Sequence, residues 1–236
     1  MEENREAYER ALALLDEVVE REPDNLLAQL RRAAVRTPLA PEESLFAEQR
    51  QIRDKAQGTP YEAVAELELA RCHLKRGQGE QALVLYTALE KKHAWLNCVL
   101  SSEMGVAHAM NENGYQALEY FEHAVESTTP AAMAGLKETS EELIGKDYWA
   151  FWSTVDNLEA RQCQNHAWLA GIYSACGQMK QARKNLALSL HFLNSDALGD
   201  AAGVLKVQFA RQMENMFPVL FMEPEVQALC QEIATH

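Results

Sequence analysis

The side chains best suited to metal or covalent chemistry in this chain are three Cys and His pairs: Cys72 with His73, His93 with Cys98, and Cys163 with His166. Thiolate and imidazole are preferred zinc ligands, but a site needs four ligands, or three and a water, converging on one point. Cys163 and His166 are three residues apart and share a helix face, yet no second pair at matching spacing completes a ligand set. They read as packing residues. The five cysteines, Cys72, Cys98, Cys163, Cys176 and Cys230, are odd in number and scattered, a pattern of reduced thiols rather than a disulfide framework. No GxSxG, Gly-rich phosphate loop, HExxH or CxxC occurs. The expectation is a protein that is not an enzyme and that needs neither metal nor cofactor.

Charge narrows the partners. The chain carries 35 acids against 22 bases, a formal net charge of −13. Residues 103–160 hold eleven acids and two bases, and no Lys or Arg lies between Lys92 and Lys137. Such a surface repels phosphate backbones, so no direct contact with nucleic acid is expected. The start, Met1-Glu2-Glu3-Asn4-Arg5, is polar and acidic where a signal peptide is basic and then apolar. No run approaches the roughly 18 apolar residues of a membrane span. A cytoplasmic protein with no membrane contact is expected; nothing in the sequence fixes its oligomeric state.

The elements that position these residues are helices. Ala, Leu, Glu and Gln dominate, with only seven Pro and eleven Gly, and the former are strong helix formers. Two segments align on their small residues. Leu69-Ala70 is followed by His73, Gly77, Ala82 and Tyr86; Leu169-Ala170 is followed at the same offsets by Tyr173, Gly177, Ala182 and Leu186. A third copy has Met104-Gly105, His108, Ala117, Phe121 and Ala124, with its Gly114 two positions later than the glycine of the others. Small residues let two helices approach, large ones fill the space between pairs, and Gly77 and Gly177 suit the left-handed residue that ends a helix.

This spacing resembles the tetratricopeptide repeat, a helix-turn-helix unit of about 34 residues. The resemblance implies an all-α fold, a right-handed α-solenoid of helix pairs with helical caps and one inserted helical element. The chain then reads as a single domain, 1–236. Residues 1–59 form degenerate N-terminal repeats or a cap, with Pro38 and Pro41 at an internal turn. Two clear repeats span 60–127, inserted helices 128–161, a third clear repeat 162–195, and C-terminal capping helices 196–236. Helix pairs are expected at 61–76 with 80–91, 98–112 with 115–127, and 162–176 with 179–193. Two closing helices are expected, broken around Phe217-Pro218 and Glu223-Pro224. His73 and His108 fall where the family places a packing aromatic.

In the family, ligands generally lie in a groove lined by the first helix of each pair. Carried across, those positions give Leu67, Glu68, Arg71, Leu74 and Lys75, then Ser102, Glu103, Val106, Ala109 and Met110, then Ala167, Trp168, Gly171, Ser174 and Ala175. The candidate partner-binding residues are Leu67, Arg71, Leu74, Lys75, Ser102, Glu103, Val106, Met110 and Trp168. Members that clamp a chaperone's C-terminal carboxylate use Lys and Asn at slots filled here by Leu67, Arg71, Ser102 and Val106, a departure from that pattern. The resemblance therefore implies an adaptor or chaperone holding a protein or peptide segment. Alternatives are a peptide-sensing regulatory receptor and a chaperone of the type III secretion kind. The cluster Tyr148, Trp149, Phe151 and Trp152 reads either as a docking patch or, preferably, as the buried side of the inserted helix.

Overall fold

In a computed structural model the described residues are 2–36, 42–146, 157–199 and 201–234. Among them are thirteen α-helices and no β-strand. The aromatic cluster at 148–152 and the Pro38 and Pro41 turn lie outside the described residues. The chain divides into two compact units, Met1–Leu96 with Ser140–Tyr148, and Asn97–Thr139 with Trp149–His236.

The first unit contains α1 (Glu2–Arg21), α2 (Leu26–Arg36), α3 (Glu42–Ala56), α4 (Glu62–Lys75) and α5 (Gly79–Lys92). Each of these packs on the next in sequence. Asn25 starts α2, its side-chain oxygen accepting the Ala28 amide at 3.0 Å and so satisfying one orphan donor of the first turn. Glu48 of α3 then fastens α2, taking Arg32 at 2.6 Å and Arg36 at 2.7 Å, while Arg32 also reaches Asp16 of α1 at 3.6 Å.

The second unit contains α6 (Asn97–Met110), α7 (Gly114–Ser127), α9 (Leu158–Ala175), α10 (Met179–Leu193), α11 (Ala201–Met216), the short α12 (Pro218–Phe221) and α13 (Pro224–Ala234). The boundary between the units falls inside α8 (Pro130–Ile144). Here α6 pairs with α7, α9 with α10, and α9 also packs on α7 and α11. The Asn157 side chain caps α9 by accepting the Ala160 amide at 2.7 Å, which lets the helix begin four residues before the expected 162. The closing segment breaks at the expected prolines, but it leaves the four-residue α12 between two longer helices, since Pro favours the first position of a new helix.

The repeat is written in the turns. In all three, a backbone amide reaches back five residues, from Gln78 to His73 at 2.9 Å, Asn113 to His108 at 2.9 Å, and Gln178 to Tyr173 at 2.8 Å. The residue before that amide is left-handed, with φ +70° at Gly77, +73° at Gly177 and +59° at Glu112. In the middle turn the nearest glycine of the sequence, Gly114, lies two positions further on. Instead Glu112 takes the left-handed position and Gly114 opens α7. Behind each turn the second helix buries the same register: Ala82, Tyr86 and Leu89; Ala117, Phe121 and Ala124; Ala182, Leu186 and Ser189. Gly105 is small because the Phe121 ring would stand 3.0 Å from any Cβ there.

Candidate functional site

The mapped positions divide between the two units. On α4, Leu67 is wholly buried and Leu74 nearly so; both are core residues and present no surface to a ligand. Arg71 is half-buried and paired with Glu68 at 2.9 Å, so its charge is largely spent within its own helix. Lys75 is exposed.

In the second unit, Ser102 donates to the Asn165 side-chain oxygen at 2.7 Å, tying α6 to α9. Glu103 is half-buried. Val106 and Ala109 pack at the edge of a small core made by Ala117, Phe121 and Leu169. Met110, at the end of α6, is 41% exposed. Trp168 stacks on Phe121, with centroids 5.4 Å apart and planes 10° from parallel. On its other side it meets the edge of Phe217 at 5.6 Å. Phe217 also lies so close to the Gly171 backbone that a Cβ there would fall 2.1 Å from the ring. The mapped face of α9 is therefore covered by this chain's own Phe217, from the joint between α11 and α12. The signal in the sequence was the pairing of a glycine at a position that holds Arg71 and Val106 in the other repeats with a Phe-Pro break 46 residues on.

The Cys and His pairs have local partners. Cys163 sits 3.4 Å from the Ser189 hydroxyl, which itself donates to the Cys163 carbonyl at 2.7 Å. Burial pushes its thiol up to about 11, far from the thiolate that binds metal or attacks carbon. His166 shares a 2.8 Å hydrogen bond through Nδ1 with the Asn185 side-chain oxygen, and burial holds its pKa below the ordinary 6.5. His73 bonds Gln78 at 2.8 Å and meets the edge of Phe46; His108 stacks on Tyr120 at 5.1 Å. Both stand at the register that Tyr173 holds in the third repeat. Among the described residues no group of three or more His, Cys, Asp or Glu side chains could hold a metal ion.

The acidic face of α7 is partly committed as well. Tyr173 of α9 donates to Glu122, and that hydrogen bond, with burial second, pushes the phenol up to about 12. Glu119 and Glu126 are exposed. Among the described residues no helix is long and apolar enough to cross a membrane. No protein-family model matches the chain, and no curated protein matches it in sequence.

Proposed function

We propose that the chain is a protein-interaction module of the tetratricopeptide-like kind, an adaptor or chaperone that holds a segment of a partner polypeptide in the cytoplasm. The observation that carries this reading is the seat of Phe217 on Gly171 beside Trp168. There the ligand-binding face mapped from the resemblance takes an aromatic side chain from a short run, Phe217-Pro218-Val219-Leu220-Phe221, that acts as an internal ligand. Val106 stands at the corresponding position of α6, one turn before the exposed Met110. An apolar side chain of a second polypeptide fits this α6 face in the same manner. Apolar contact supplies the affinity there, while Glu103 sets register and selectivity. The five free thiols suit a reducing compartment.

A photo-crosslinking amino acid placed at Met110 tests the reading in cells. It should trap a partner polypeptide, and Val106→Asp in the same chain should abolish the adduct. The same crosslinker at Tyr115 of α7, which is 86% exposed, should not trap it. Equal labelling from both positions, or an adduct indifferent to Val106→Asp, would reject the α6 face as the binding surface.

A further inference from the structure

A second recess lies wholly within the first unit. α3 presents Phe46, Arg50 and Arg53 at spacings of four and three, which places them on one helix face. Opposite them stand Leu69 and His73 of α4 and Val84 and Leu85 of α5, and the whole encloses an open groove of about 350 Å³. On α4, His73 lies about 200° round the helix from Arg71, so this is a different surface from the mapped one.

The floor is apolar and one wall is cationic. Arg76, just past α4, holds its guanidinium 4.8 Å from the centroid of Phe46, and its Nε is buried without a hydrogen-bond partner. Arg53 is paired with Asp54 at 3.0 Å. Among the described residues Arg50 and Arg76 have no ion-pair partner, although acids outnumber bases 35 to 22 in the chain. Among the described residues no acidic side chain lines the groove. At its rim Val84 is 71% exposed.

We propose that this groove docks a partner peptide in which Asp or Glu lies within one helical turn of a Leu, Ile or Phe. The carboxylate meets Arg50, with Arg53 one turn along the same wall, and the apolar side chain lies over Val84 and Leu85. A wholly apolar segment would bury the Arg50 guanidinium without a partner, which is costly. A carboxylate satisfies it with charge-assisted, bidentate geometry. A nucleic-acid strand offers the same sign of charge, but the −13 of the chain opposes a polyanion far more than one or two carboxylates. The inference stands on a surface separate from the α6 face and does not depend on it.

The test is selection of a displayed random-peptide library on the full chain, followed by binding measurements with the enriched peptides synthesised singly. Wild type is compared with Arg50→Glu, Arg50→Gln, Val84→Asp and Met110→Asp. Arg50 and Val84 face solvent, so these variants keep the wild-type melting temperature. The expected result is a family of peptides pairing an acid with an aliphatic or aromatic residue. Their affinity falls about tenfold or more with Arg50→Glu and with Val84→Asp, less with Arg50→Gln, and not with Met110→Asp, and it weakens as salt is raised. Acid-free peptides that respond to Val84→Asp would overturn the proposal, as would a selection in which no peptide responds to either groove variant. A dimer of the chain that Arg50→Glu converts to monomer would assign the groove to a second copy and overturn it equally.

Discussion

Phe217 rests on the bare backbone of Gly171, where even one methyl group would be 2.1 Å from its ring. The glycine is thus required by the aromatic side chain above it and not by its own backbone, which is helical. Gly171→Ala should force the ring off α9 and destabilise the fold by about 1–3 kcal/mol, the ordinary cost of overpacking. In a Phe217→Ala background the same substitution should cost almost nothing, because the two residues in contact are coupled. Denaturant melts of the four proteins in this cycle measure the coupling; additive effects would separate the two residues.

Glu112 occupies the position that Gly77 and Gly177 hold in the other turns, with φ +59°. A side chain in that conformation costs about 1–2 kcal/mol that glycine does not incur. Glu112→Gly should therefore stabilise the protein by about 1 kcal/mol after the greater freedom of unfolded glycine is counted, raising the melting temperature by about 2–4 °C. Calorimetry measures this directly. A lowered melting temperature would mean that Glu112 makes contacts worth more than its strain.

The helix pairs were legible because spacing encodes them: Ala82, Ala117 and Ala182 are small at one register and buried at the same register. The left-handed residue of the middle turn was not legible, since Gly and Asn are the residues that announce that conformation and here it is Glu112. How far each mapped position is exposed was not legible. Helical spacing assigns Leu67 and Ser102 to equivalent positions, but α4 is packed on so many sides that Leu67 is buried while Ser102 is half-buried. Phe217 over Gly171 and the Arg50 groove arise from residues far apart in sequence, and no local period carries them.

His166 makes stability depend on acidity. Burial, with a smaller opposing contribution from its bond to Asn185 and a repulsive one from Lys184, holds its pKa below 6.5 in the folded state. The unfolded chain therefore takes up this proton first, and stability rises with pH across the interval between the two values. The contribution of neutral His166 is complete above about pH 6.5 and is lost as the pH falls towards the folded-state value. His166→Gln should make the melting temperature less sensitive to acid below that point. An unchanged slope would show that another group, such as His108, whose pKa burial also lowers, governs the acid limb.

Ala82→Leu and Ala182→Leu place a branched side chain at buried sites where two helices of a pair meet. Each should cost about 1–3 kcal/mol. Because the sites belong to different compact units, their effects should add within about 0.5 kcal/mol in the double variant. Strong non-additivity in chemical unfolding would instead couple the two pairs.

Partner docking can be assigned to the basic end of α4 or to the acidic face of α7 by charge reversal, provided the variants leave the fold alone. Arg71→Glu is a poor choice, because it would set a new carboxylate beside Glu68, the present partner of Arg71 at 2.9 Å. Glu122→Lys is equally poor, because Glu122 accepts the Tyr173 hydroxyl. Lys75, Glu119 and Glu126 are exposed, and reversals at such sites rarely move stability by more than about 0.5 kcal/mol. If the partner lies along the mapped face of α4, Lys75→Glu should weaken binding by about 0.2–1 kcal/mol, more at low salt than at high, and the Glu119→Lys, Glu126→Lys pair should leave it unchanged. Docking on the acidic face predicts the reverse. Calorimetric titration with a partner polypeptide captured from cells decides between them, and indifference to both sets would remove charge from the account of that interface.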